Sequence, residues 1–213
     1  MGLTLLGGSG DLDGSVRTYA FRLLLESGRP VDANDLAGFT GRDQDQIAQA
    51  VDRLDQAGRI RRNGAGLLVG ACGLSVVPDR HRIEIEDRTF WTWCAYDILG
   101  ILGALKAAGR GLSHSPSTGH PIEVLFRNGR PEPTNVVLFR PDDSVAASCT
   151  NIYEEWCPNS NLFEDETAAY RWRAERQIEG QVLTLARASE LATKEWASVV
   201  MDIGGGIGRT LAT

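Results

Sequence analysis

The chain has 213 residues, enough for one large domain or two small ones around a substantial core. Its net charge of −6 argues against a protein whose main task is to hold a polyanion, and no apolar run reaches the roughly 18–20 residues that span a bilayer. With 23 % charged and 42 % hydrophobic residues the composition is that of an ordinary globular protein.

The opening MGLTLLGGSGDLDG has no basic region and turns acidic early, so no secretory signal is expected and a cytoplasmic, membrane-free protein is the simplest reading. SVRTYAFRLLLESG follows with apolar residues at helical spacing and a closing Gly. VDANDLAGFTG predicts a short helix. DQDQIAQAVDRLDQAG predicts a third, with Ile47, Val51 and Leu54 on one face. RIRRNGAGLLVG and LSVVPDRHRIEIE read as two strand-like stretches, the first turning at Asn63–Gly64.

Three helices and a hairpin are the order of a winged helix-turn-helix module, with Arg59, Arg61 and Arg62 on the wing, where they could meet phosphates. The third helix, however, carries four aspartates against one arginine, a face that repels phosphate. A structural or packing role is favoured over DNA binding.

WTWCAYDILGILGALKAA, residues 91–108, predicts a buried helix, apolar all round. After Gly109 the texture changes to short strands, with IEVLFR and NVVLFR separated by the turn NGRPEP. SCTNIYEEWCPNSNLF reads as a loop anchored by Trp156 and the Leu162–Phe163 pair. ETAAYRWRAERQI predicts a helix, and VLTLARASELATKEWASVVM a helix or a strand then a helix. The Gly-rich DIGGGIGRT follows no strand and opens no βαβ unit, so a frayed tail is expected. The class is α+β: a winged-helix-like helical region over 1–82, then a mixed helix and antiparallel-sheet catalytic region over 83–213.

Four cysteines occur without any CxxC, and three histidines are scattered without HExxH or zinc-finger spacing. In a reducing compartment such cysteines are packing residues, metal ligands or nucleophiles. Cys94 and Asp97 are three residues apart on the greasy helix, with Cys94 in its first turn, where exposed N–H groups favour an anion. Burial raises the pKa of both side chains, which makes Asp97 a plausible proton donor near neutral pH. Two readings stand on these residues alone: a packing thiol beside a locally bonded carboxylate, or a thiolate beside a proton-holding acid. Cys157, in an anchored loop, could converge with Cys94 on a soft cation such as Hg(II) or Cu(I).

IEIEDRTFWTWCAYD, GLSHSPSTGHPIEV and CPNSNLFED together resemble the organomercurial lyase (alkylmercury lyase) family over roughly residues 28–190. The resemblance implies that Cys94 and Cys157 are the two catalytic thiols and Asp97 the proton-handling acid, and that all three hold the Hg(II) product. It implies cleavage of R–Hg–X to R–H and Hg(II) in mercury detoxification. No organic cofactor is required, and an exogenous small thiol or a mercuric reductase accepts the metal. Ser115 stands where the family often has a third cysteine, and Cys157-Pro158-Asn159 lacks the second thiol or imidazole that some members carry. Cys149 reads as a packing or exposed residue and Cys72 as a core residue. Two alternatives remain: a soft-metal-binding or metal-transfer protein on the same scaffold, and a metal-sensing DNA regulator.

Overall fold

The computed structural model describes residues 11–201; the Gly-rich segment expected to be a frayed tail lies outside the described residues. Three capped helices open the fold: α1 (Leu12–Ser27), α2 (Ala33–Thr40) and α3 (Gln44–Gln56). The side chains of Asp11, Asp32 and Asp43 accept N–H groups in the first turns, and Gly28 and Gly41 end α1 and α2 in the left-handed region. The acidic character of α3 therefore has local uses. Asp43 caps it, while Asp52 and Asp55 pair with Arg62 at 2.8 and 2.9 Å.

Two strands, β1 (Ile60–Arg62) and β2 (Leu68–Ala71), form the expected hairpin, whose loop is organised by Asn63 accepting N–H groups from Ala65 and Leu67. A two-residue turn at Cys72–Gly73, both with positive φ, leads into β3 (Leu74–Ser75). LSVVPDRHRIEIE is not one strand. It breaks after Ser75, with Pro78 unable to donate to a ladder, and resumes as β4 (His81–Ile85). The strand β5 (Arg88–Thr92) then inserts between β3 and β4. Trp91 and Thr92 therefore belong to a strand, where aromatic and β-branched residues fit a pleated surface. The buried helix expected over 91–108 is shortened to α4 (Ala95–Ala104).

The strands β6 (Gly109–His114), β7 (Pro121–Arg127) and β8 (Arg130–Pro131) complete an antiparallel eight-stranded sheet in the order β1-β2-β3-β5-β4-β6-β7-β8. The sheet thus runs unbroken across residue 82. A second sheet has β9 (Val137–Pro141) between β10 (Asn161–Phe163) and β11 (Gly180–Thr184). The stretch read as an anchored loop holds local structure: α5 (Asp143–Ser148) ends in it, and α6 (Ile152–Glu155) and a 3₁₀ turn (Cys157–Asn159) precede β10. Two helices, α7 (Glu166–Arg176) and α8 (Leu185–Met201), follow. Among the described residues no helix is long and apolar enough to cross a membrane.

One buried cluster extends from Val16 of α1 to Val199 of α8, and α4 lies at its centre. Glycines permit the close approach of α4 and α8: a Cβ on Gly100 would lie 2.4 Å from the Trp196 ring, and one on Gly103 would lie 2.0 Å from Thr193 Oγ1. Trp196 is 2 % exposed and donates its ring N–H to the Cys72 carbonyl at 3.0 Å. Trp196→Ala should cost about 3–5 kcal/mol, the sum of lost burial and an unfilled cavity. Urea unfolding measures this directly, and a loss below 1 kcal/mol would contradict the packing (on the same scale).

Candidate active site

Cys94 is the N-cap of α4 rather than a member of its first turn, with extended backbone at φ −144° and ψ 169°. The helix thus starts four residues later than the sequence reading placed it, and this changes the chemistry. Asp97, at the third helical position, turns back and accepts the Cys94 N–H at 2.8 Å. The carboxylate is thereby fixed beside the thiol by the helix start itself. Thr92 donates its hydroxyl to the Cys94 carbonyl at 2.9 Å, and the Trp93 N–H donates to Gly73. The Cys72–Gly73 turn is thus laid against the same helix start. A Cβ on Gly73 would sit 2.3 Å from Asp97 Cγ, so only glycine fits there.

Cys157 reaches the site on its 3₁₀ turn. The Ala95 N–H, free at the start of α4, donates to the Ser160 carbonyl at 3.0 Å, which ties the Cys157 segment to the helix. Trp156 packs edge-on against Tyr96, which packs in turn against Trp196, with centroids 6.2 and 5.8 Å apart. From the other side, Asn151 donates to the Gln56 carbonyl at the end of α3, and the Ile152 N–H donates to the Ala57 carbonyl. One thiol thus rides on a core helix and the other on a segment clasped at both ends.

The ligand atoms of Cys94, Asp97 and Cys157 all lie within 4.8 Å of one another, and all three residues are buried. Burial pushes the Asp97 carboxyl up to about 7, against the opposing hydrogen bonds from Cys94. Burial also pushes the Cys94 thiol well above its usual range, and its interaction with Cys157 adds to this. For Cys157 the interaction with Cys94 acts the other way and lowers its pKa, although burial and the nearby Asp97 charge leave it raised overall. The trio therefore stores protons near neutral pH and can pass one between sulfur and oxygen.

A small cavity, partly open to solvent, reaches this trio. Trp93, Ile152, Trp156 and Trp196 supply apolar wall, and Asp97 and Cys157 are in its lining, while Cys94, fully buried, lies behind them. Arg17, Arg59, Gly58 and Cys72 close the remaining side. Sequence reasoning placed Arg59 where it could meet phosphates and read Cys72 as a core residue, and it assigned no role to Arg17 or Gly58. A signal for Arg17 was present, since it shares the helical face of Phe21 and Leu24 at i, i+4 and i+7, an odd place for a charge. The other two arginines of the hairpin are engaged elsewhere: Arg61 pairs with Asp79 at 2.8 Å and lies over the Tyr153 ring, and Arg62 pairs with Asp52 and Asp55.

The departures from the family pattern also find places. Ser115 is buried, with its hydroxyl 3.1 Å from that of Ser117 and its N–H donated to the His120 carbonyl, so a satisfied polar residue fills the third-cysteine position. Cys149 is half-buried, and its thiol donates to the Val145 carbonyl one turn back. All four cysteines are free thiols.

The sequence model of the MerB family, described as alkylmercury lyase, matches residues 74–197, more than half of the chain. An alkylmercury lyase of Staphylococcus epidermidis is 28 % identical over 181 residues, covering 81 % of this chain and 79 % of that protein. One from Bacillus cereus is 29 % identical over 189 residues, covering 84 % and 81 %, and one from Streptomyces lividans is 27 % identical over 190 residues, covering 83 % and 81 %. Among solved structures, the mercury-bound form of MerB2 superposes with a TM-score of 0.78 at 27 % identity, covering 92 % of this chain and 95 % of that one. The matched segment contains Cys94, Asp97 and Cys157 on the fold described above, and the chain belongs to the alkylmercury lyase family.

Proposed function

We propose that this protein is a carbon–mercury lyase that protonates the carbon of alkyl- and arylmercurials, releasing a hydrocarbon and retaining Hg(II), in mercury resistance. The observation that carries the reading is the buried grouping of two thiols and one carboxyl within 4.8 Å. Cys157, in the cavity lining, displaces the labile ligand of R–Hg–X, and its proton leaves with that ligand. Cys94 adds next and gives its proton to Asp97. The additional sulfur makes the metal-bound carbon more basic, and Asp97 delivers the proton to it. R–H departs and Hg(II) stays between the two sulfurs, so one proton per thiol is accounted for. A carboxyl near pKa 7 suits this relay, because it both takes and gives a proton at neutral pH.

The chemistry needs no organic cofactor, since each step draws on groups of this chain; an exogenous small thiol or a mercuric reductase takes the metal. Free cysteines suit a reducing cytoplasm. A soft-metal holder is the weaker reading, as it gains little from a hard carboxylate at its centre. We read α1–α3 and the β1–β2 hairpin as a winged-helix-like region that walls the cavity instead of meeting nucleic acid, as the pairing of Arg61 and Arg62 supports.

Steady benzene release from phenylmercury by the purified protein in excess thiol is the direct test; tight mercury binding without benzene would overturn the lyase reading. Gly73→Ala offers a finer one. Its Cβ would meet the Asp97 carboxyl first, so benzene release should fall about a hundredfold, the usual cost of misplacing a reacting group by about 1 Å. Retained wild-type rates would show that the Asp97 position is not critical.

A further inference from the structure

Hg(II) held by Cys94 and Cys157 sits at the inner end of the cavity, because Cys94 has no exposed surface. An external thiol must reach it past the apolar wall of Trp93, Ile152, Trp156 and Trp196, and of the two retaining sulfurs only Cys157 lines the cavity. A third thiol lines that cavity as well. Cys72 sits on the two-residue turn whose Gly73 abuts Asp97, and its carbonyl is fixed by the Trp196 ring N–H at 3.0 Å. Its sulfur makes only a long contact to the Arg17 carbonyl, 3.7 Å, so little is lost when it turns to a metal. Cys72 is outside the 4.8 Å grouping and so is no ligand of the first encounter.

We propose that Cys72 is a third mercury-handling thiol that takes Hg(II) over from Cys94, so that both sulfurs holding the metal line the cavity. In this step, which rests on the lyase reading for its place in the cycle, a new Hg–S bond forms to Cys72 and the Hg–S bond to Cys94 breaks. The Cys72 proton passes to the Cys94 sulfur, and no oxidation state changes. The product becomes Hg(II) bound by Cys157 and Cys72, both cavity residues, and Cys94 returns to its protonated form for the next substrate. Arg17 and Arg59 line the same cavity and act against the burial that pushes the Cys72 thiol up to about 11.

The test uses the Cys94→Ser/Cys149→Ser double variant, in which Cys72 and Cys157 are the remaining thiols. Titration with mercuric chloride should consume two free thiols per Hg(II); consumption of one would overturn the proposal. Independently, Cys72→Ser protein loaded with Hg(II) should surrender the metal to excess small thiol roughly tenfold more slowly than wild type, since an intramolecular ligand acts at high effective concentration. Equal release rates would overturn the proposal even if the double variant does not fold. Benzene release by the wild type decides the lyase reading separately: two thiols per Hg(II) without benzene would leave Cys72 a mercury ligand in a protein that is not a lyase.

Discussion

Serine at position 157 or 94 should abolish hydrocarbon release from phenylmercury, by roughly a thousandfold or more, because groups that act as a unit fail together. Cys157→Ser removes the sulfur that lines the cavity, so capture of the mercurial is lost. Cys94→Ser leaves capture intact and removes the second sulfur, so the organomercurial should remain bound to Cys157 with its carbon–mercury bond whole. The double variant should be no worse than either single one. Both side chains are buried, and a hydroxyl without a partner there costs about 1–3 kcal/mol, so far-ultraviolet circular dichroism must accompany the assay. Gas chromatography of benzene and mass spectrometry of the protein adduct separate the two failures. Turnover by a folded Cys94→Ser protein would remove Cys94 from the mechanism.

The second large effect is at Asp97. Asn in its place still offers an oxygen to the Cys94 N–H, so the helix start survives. What goes is the proton, and with it about 10²–10⁴ in rate, the usual contribution of a positioned acid–base group. Hg(II) affinity should change little, because the two sulfurs remain. The pH profile makes the test specific. Asp97 has a pKa of about 7 and is ionised above it. Only the ionised form can take the proton of Cys94, so the rate should fall as pH drops through this value, by about tenfold per pH unit on the acid limb. That inflection should vanish from the residual activity of Asp97→Asn. An unchanged profile in the variant would assign the titration to another group.

Much of this site was legible because its first half is local. Cys94 and Asp97 lie three residues apart at a helix start, and that spacing alone makes them neighbours whether the thiol is inside the helix or caps it. Cys157 was legible through its anchors, Trp156 and the Leu162–Phe163 pair, all of which are buried. The start of α4 was misplaced because WTW satisfies an apolar helix as well as a strand. Pairing of Thr92 with Leu74 and His81 decides the matter, and that is a tertiary fact. The small elements α6 and the 3₁₀ turn were hidden for a related reason: they are short, and Asn151, which caps α6, also donates its side-chain amide to Gln56 at the end of α3. Cys72 was correctly read as buried, yet burial alone did not place it beside a cavity. The cavity exists only once Trp196, 124 residues along the chain, closes over the turn.

The clasp between Asn151 and the end of α3 divides the labour of the molecule in an unexpected way. The two thiols and the carboxyl fall within residues 74–197, the stretch that the family model matches, whereas Arg17, Gly58, Arg59, Cys72 and Gly73 of the cavity wall fall before it. The cavity wall is thus shared between the opening helices and hairpin and the later segments that carry Trp93, Ile152, Trp156 and Trp196. Substitutions at Arg17 or Arg59 should reshape which organic groups are admitted, whereas a change at Gly73, which abuts Asp97, also reaches the step that breaks the bond.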